Sequence, residues 1–417
     1  MTTVRRGTTA LALSAALGAA ALLGAPAAHA APATAPAASP SPAPLPSGLF
    51  GTADPAYDGV WRQSLALLAQ DAAGLKPAAK AVDWLTGQQC ADGAFSAYRA
   101  DVSADCAAKL PRDSNATAAA VQALTATGGQ DKTVTKAVGW LKSVQNEDGG
   151  WSYNPGGASD ANSTSVVIGA LAAAGEQPQS VRSKGGKSPY DALLTFAQPC
   201  GGKDGGAFVY QPGQPGVVAD STAAAVLAAQ GKGLVTKPGA AHAGATTCAK
   251  ATDLKGAAHN GAAYLAGALA KTGHLLAPPM PGAEDTAPKP DFGNTADAVV
   301  ALSAQGLAEP AKNSLTWLQK NAPAWAKESG PAAYAQLILA AHATGADSKD
   351  FGGTDLVAGL NATGPAPQSA DSDASKKQDE KKDEKDGGAG TWWIVGAFFA
   401  ASVGAGILFS GRRKSQS

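Results

Sequence analysis

The chain has no surplus of charge: 33 Lys and Arg balance 33 Asp and Glu over 417 residues. Without a basic excess there is no counterion release to drive binding to a nucleic acid, so that partner class is excluded. Charged residues of both signs are scarce, at 16%, well under the usual quarter. No Cys-x-x-Cys pair occurs, and His242 beside Cys248 is too little to support a zinc site. What the chain has instead is alanine, which makes up much of its 45% hydrophobic content and favours closely packed helices.

The two ends predict export and anchoring. Arg5 and Arg6 precede an apolar stretch, Ala10 to Leu23, and Ala28-His29-Ala30 is a small-x-small cleavage site. Residues 1–30 therefore read as a signal peptide, cut between Ala30 and Ala31. Arg5-Arg6 also admits a twin-arginine signal, although the residues that usually follow are missing. Thr391 to Ser410 carries no charge, holds Trp392 and Trp393 at one end, and is followed by Arg412, Arg413 and Lys414. Twenty helical residues span a hydrocarbon core of about 30 Å. The expectation is one transmembrane helix at 391–410 with a cytoplasmic tail at 411–417, which places the protein at the cell membrane with its N-terminal domain outside. Leu360-Asn361-Ala362-Thr363-Gly364 only loosely matches a sortase signal. Residues 31–48, rich in Ala and Pro, and 361–390, charged and Gly-rich, read as linkers. Four cysteines in an exported chain suggest two disulfides. Of the three pairings, sequence adjacency favours Cys90–Cys106 and Cys200–Cys248.

Between the linkers the chain repeats itself. Ala81-Val82-Asp83-Trp84-Leu85 returns 56 positions later as Ala137-Val138-Gly139-Trp140-Leu141. Asp92-Gly93 returns as Asp148-Gly149 and Asp204-Gly205 at the same step. After each Asp-Gly loop a polar group leads into a run of small apolar residues. Examples are Asp113-Ser114-Asn115, Asp160-Ala161-Asn162, Asp220-Ser221-Thr222 and Gly293-Asn294-Thr295. Each run ends near a glycine: Gly128, Gly175, Gly231 and Gly306. This is helix-capping chemistry at both ends. Each repeat is therefore a helical hairpin with a Trp-bearing, more polar helix and an Ala-rich helix apolar on nearly every face. The second kind must be covered on all sides. The predicted architecture of residues 49–360 is an all-α, α6/α6 toroid of six hairpins. Its inner helices fall near 58–73, 114–128, 161–175, 220–230, 294–307 and 331–345, and its outer helices near 77–89, 132–145, 188–198, 256–271, 310–320 and 349–360.

Gln145-Asn146-Glu147-Asp148-Gly149-Gly150-Trp151 resembles the QW-type repeat of the prenyltransferase and squalene-cyclase superfamily, whose fold is an α/α toroid. The resemblance covers roughly residues 57–360. The superfamily's chemical motifs are missing. No Asp-x-Asp-Asp cyclase acid occurs within the repeats, the nearest string being Asp371-Ser372-Asp373-Ala374 in the charged spacer. Asp105-Cys106 has the wrong spacing for the prenyltransferase zinc pair, and Cys200-Gly201-Gly202 lacks the Glu-Gln of a thioester. In style the chain is nearest to the α-domain of the cobalamin carriers transcobalamin and intrinsic factor. Their inner helices begin with segments similar to Asp113–Ala120 and Phe292–Asp297. That branch implies cobalamin as a ligand at the ring mouth, but it closes over the ligand with a β-rich domain that these 417 residues do not contain.

Two functions follow. The first is a non-enzymatic surface protein that binds a small ligand, a corrinoid among the candidates, or a partner protein such as a transport system. Its ligand-binding residues would be Asp113, Asn115, Asp160, Asn162, Asp220, Asn294 and Asp297, all near inner-helix starts that converge on one mouth. No catalytic residue, metal ligand or further cofactor is implied, and capping alone accounts for the first acceptor at each start. The alternative is an exported enzyme acting on a terpenoid or a glycan, with Glu284, Asp285 and Asp297 as its acid–base candidates.

Overall fold

The computed structural model describes residues 45–213, 218–241, 247–277 and 287–368. The expected signal peptide, its cleavage site at Ala30 and Ala31, and the 391–410 anchor lie outside them. No helix of the described residues is long and apolar enough to cross a membrane.

Helices make up nearly all of the regular secondary structure of the described residues. Six helices form an inner set: α1 (Gly59–Ala72), α3 (Ser114–Thr127), α5 (Ala161–Ala173), α7 (Val218–Ala228), α9 (Phe292–Ala304) and α12 (Pro331–Thr344). Each packs on the next in that order, and α12 packs back on α1, so the set closes into a ring. Six outer helices each pack on the inner helix that precedes them: α2 (Ala79–Gly87), α4 (Asp131–Ser143), α6 (Pro189–Thr195), α8 (Leu254–Leu269), α10 (Ala308–Asn321) and α13 (Leu356–Asn361). The fold is thus an all-α toroid of six hairpins, as the repeats predict.

The inner helices are apolar all round because they are enclosed all round. Every residue from Ala116 to Leu124 is buried. Alanine also lets neighbouring backbones approach closely. The outer helices are amphipathic: α4 buries only Ala137, Val138, Trp140 and Leu141 of its 13 residues.

The Asp-Gly loops lock neighbouring hairpins in register. Trp151 is fully buried, and its Nε1 donates to the Leu141 carbonyl at 2.7 Å. Its backbone N–H donates to Thr164 Oγ1 at 3.1 Å, and its carbonyl accepts from Asp160 N at 2.9 Å, which holds the loop to α5. Two residues on, the Tyr153 carbonyl accepts from Ser114 N at 2.9 Å, tying the same loop to α3. Phe95 with Thr117, Phe208 with Thr222 and Leu275 with Thr295 repeat the threonine contact. The glycine is required at Gly93 and Gly149, whose φ values are +96° and +94°. A Cβ there would overlap the carbonyls of Lys136 and Ser188 on the adjoining hairpin. The two disulfides pair as adjacency favours, Cys90–Cys106 and Cys200–Cys248. The first closes the loop between α2 and α3. The second joins the loop after α6 to the loop before α8, spanning α7 rather than one inter-helix loop.

The structure departs from the sequence expectation in four places. A seven-residue helix, α11 (Pro323–Ser329), stands between α10 and α12, started by Pro323 and ended at Gly330 with φ +84°. The outer helix expected at 349–360 shrinks to α13, because Phe351-Gly352-Gly353 forms a further glycine loop with both glycines at positive φ. A two-stranded antiparallel ribbon, β1 (Leu275–Ala277) and β2 (Lys289–Asp291), precedes α9. Residues 48 and 361–368, at the edges of the expected linkers, also join the ring. The Gly48 carbonyl accepts from the buried Gln63 at 2.9 Å, and the Thr363 carbonyl accepts from Gly51 N at 2.7 Å. Gln368 N donates to the Lys76 carbonyl at 2.8 Å, so the described chain is tied to the ring as far as that residue.

Candidate functional site

Six inner helices running the same way leave a space on the ring axis. Near their N-terminal ends each sends one side chain into a cavity of about 200 Å³: Trp61, Asn115, Asn162, Asp220, Asp297 and Gln336. One or two turns further along, Leu65, Val166, Leu227, Val300 and Leu339 make a second, apolar tier. The floor is Lys232-Gly233-Leu234, from the connection between α7 and α8. Leu234 N donates to Gln122 Oε1 at 2.8 Å, and Lys232 Nζ donates to the Ala304 carbonyl at 2.9 Å. Gly233 lies against Gly169 so closely that a Cβ on Gly169 would sit 2.8 Å from Gly233 Cα. This segment plugs the far end of the ring, so the cavity is blind.

The residues singled out from sequence divide into two groups. Asn115, Asn162, Asp220 and Asp297 line the cavity. Asp113 and Asp160 are N-caps, accepting from Ala116 N at 2.9 Å and Ser163 N at 2.7 Å. Asn294 is held at the start of α9 by the N-cap Asp291, donating to it from its backbone at 3.0 Å and from its side chain at 2.7 Å. These three are helix-start residues rather than cavity lining. Asp220 shows the reverse correction: it stands inside α7, not before it, because the helix begins at Val218. Its carboxylate is free of capping and accepts a short hydrogen bond from Asn162 Nδ2. Glu284, Asp285 and His242 lie outside the described residues. All four cysteines are in disulfides, and no group of metal-ligating side chains occurs among the described residues.

Sequence reasoning missed Trp61, Gln122, Ser165, Lys232 and Gln336. Gln336 is the one that carried a signal: it is a lone amide in an otherwise apolar run, Pro331 to Ala341. Its Nε2 donates to Asp297 Oδ2 at 3.3 Å.

The cavity is acid-lined and rich in acceptors. Burial pushes the Asp220 carboxyl above the ordinary range, against the lowering effect of the Asn162 bond. Burial, and then the neighbouring Asp220 charge, raise Asp297 to about 7. Two carboxyls in one enclosed space cannot both ionise cheaply. Asn115 Oδ1, Asn162 Oδ1 and Ser165 Oγ are buried atoms of lining residues that have no hydrogen-bond partner among the described residues. A buried polar atom left unpaired costs about 1–3 kcal/mol, so three of them in the wall of one cavity set it apart from the rest of the core.

Ring and site together define an α/α toroid with a blind, acid-lined axial cavity. No family model and no curated protein matches the chain. Among solved structures it is similar to ent-copalyl diphosphate synthase from Streptomyces platensis, at 17% identity with a TM-score of 0.47. That match covers 69% of this chain and 50% of the synthase, so the chain spans half the length of that enzyme. A protein from Actinoplanes matches at 14% identity and a TM-score of 0.43, covering 72% of this chain and 80% of that one. Likenesses this distant carry no activity across, and the description of the fold rests on the chain's own ring closure.

Proposed function

We propose that the ring is a non-enzymatic capture site for a small amphipathic molecule, held outside the cell membrane by the 391–410 helix and able to serve a membrane transport partner. The observation that carries this reading is the two-tier cavity. An apolar lower tier would take the body of the ligand, and five polar side chains around the mouth would take its head. A volume of about 200 Å³ is somewhat more than the ~150 Å³ cavity known to take benzene. It is below the ~300–1,000 Å³ of drug-sized sites, so a corrinoid macrocycle does not enter it. The capture reading is therefore carried for a guest smaller than the corrinoid expected at the ring mouth.

The test is ligand-observed NMR on the full-length chain with fragments of six to ten heavy atoms, repeated on Ala224→Phe, which fills the cavity wall. Saturable binding that Ala224→Phe abolishes supports the capture site. No binding, or binding indifferent to the filled wall, removes it.

One observation favours an enzyme instead. Asp297, with its pKa at about 7, shares the cavity with a second carboxyl, and an acid poised near neutrality suits general acid–base catalysis. Turnover of a short terpenoid or glycan substrate that Asp297→Asn abolishes would replace capture by catalysis.

A further inference from the structure

The polar tier is unbalanced in a way that selects its ligand. Take the residues that line the cavity. Asp220 and Asp297 are carboxyls, and Asn115 Oδ1 and Asn162 Oδ1 are buried acceptors without a partner among the described residues. Ser165 is only 4% exposed, and its Oγ also has no partner among the described residues. The one cationic side chain lining the described cavity is Lys232. It sits in the floor with its Nζ committed to the Ala304 carbonyl at 2.9 Å. One amide N–H of Asn162 is given to Asp220 and one of Gln336 to Asp297. Carboxyls therefore outnumber cations two to one around the cavity, and the other donors of the lining, at Asn115 Nδ2, Trp61 Nε1 and Ser165 Oγ, are neutral. A carboxylate, phosphate or diphosphate head would meet two carboxyls against one cation, the Lys232 ammonium down in the floor. A neutral hydroxyl would satisfy one acceptor and leave the rest orphaned.

We propose that the cavity selects a primary alkylammonium ion: a three-donor cationic head at Asn115, Asn162 and Asp220, with a compact hydrocarbon body against Leu65, Val300 and Leu339. This rests on the capture site proposed above and names its ligand class. A primary ammonium brings three N–H donors to a tier that holds two carboxyls and the unpartnered Asn115 and Asn162 carbonyl oxygens of the described residues. Its charge is balanced by the carboxyl pair, and the aromatic wall at Trp61 is a favourable neighbour for a cation. The blind floor limits the body to a short or cyclic hydrocarbon, since the plug 232–234 stops a longer chain from threading the ring.

The experiment is calorimetric titration of the full-length chain with cyclohexylmethylammonium and with its near-isostere cyclohexylmethanol, in parallel. The expected result is that the cation binds at least about tenfold more tightly, the weight of one charge-assisted hydrogen bond. Asp220→Asn should reduce that preference by about tenfold, while the alcohol's affinity changes by less than about threefold. Equal binding, or tighter binding of the alcohol, overturns the ammonium assignment and leaves the capture site standing. Failure of both compounds to bind at millimolar concentration overturns the two together. The comparison of the two ligands on the unaltered chain decides the matter even if Asp220→Asn does not fold.

Discussion

Replacing Asp297 by Asn tests the cavity's electrostatics directly. The carboxyl lies between Gln336 on α12, Asp220 on α7 and the N-cap Asp291 of its own helix. Burial first, and the Asp220 charge next, lift its pKa from 3.8 to about 7. The folded protein therefore keeps this proton over a range where the unfolded chain has released it. The stability linked to the group is complete below about pH 4 and is lost as pH rises through about 7. At ~1.4 kcal/mol per pH unit, ionising Asp297 in place costs about 4 kcal/mol by pH 8.5. Water in the cavity and proton sharing with Asp220 reduce this, leaving an expected cost of about 2–4 kcal/mol. Asn has the same shape, no charge to bury, and an oxygen for Gln336. Asp297→Asn should therefore match the unaltered chain at about pH 4 and exceed its stability by about 2–4 kcal/mol at about pH 8.5. Urea unfolding followed by circular dichroism at the two pH values, with disulfides intact, reads the difference. A stability gap that is the same at both values, or a variant weaker at high pH, refutes the account of Asp297 as an acid held neutral by its surroundings.

Thr164→Val should cost about 1–3 kcal/mol, because it leaves the buried Trp151 N–H without its acceptor; urea midpoints read the loss, and an unchanged midpoint would mean the loop–helix staple is not needed. Gly149→Ala should cost more than the ~1–2 kcal/mol of a left-handed residue, because its Cβ also meets the Ser188 carbonyl, whereas Gly156→Ala, at positive φ with open space around it, should cost only that backbone penalty. Changing both Cys200 and Cys248 to Ser, a separation of 48 residues, should lower stability by about 4 kcal/mol; the Cys90–Cys106 pair, 16 apart, should give about 3. Thermal melts of the two double variants compare them, and an equal or reversed order would contradict the loop-entropy account.

The helices were legible because what specifies them is local. The polar group before each Ala-rich run marks an inner helix, and Asp113 and Asp160 cap theirs as capping chemistry requires. The tryptophan positions mark the outer helices. A helix apolar on every face already implies enclosure, and six such helices imply a ring. The candidate site was only partly legible, because the same residue types serve two ends. Asp160 and Asp220 look alike in the sequence, yet one is a cap and the other is two residues inside its helix and turned into the axis. Asn294 looks like Asn115 and Asn162, yet Asp291 claims it.

What the sequence by itself determined is the period, the caps, the two kinds of helix and the order in which they alternate. These depend on neighbours within a turn or a loop. What only the tertiary structure decided is the cavity. Trp61, Asn162, Asp220 and Gln336 are far apart along the chain and meet because α12 returns to α1. The blind floor depends on Lys232-Gly233-Leu234 crossing the ring to reach Gln122 and Ala304. The raised pKa of Asp297 comes from the same closure, since one carboxyl on one helix has an ordinary proton affinity until five other helices shut out the water and bring a second carboxyl beside it.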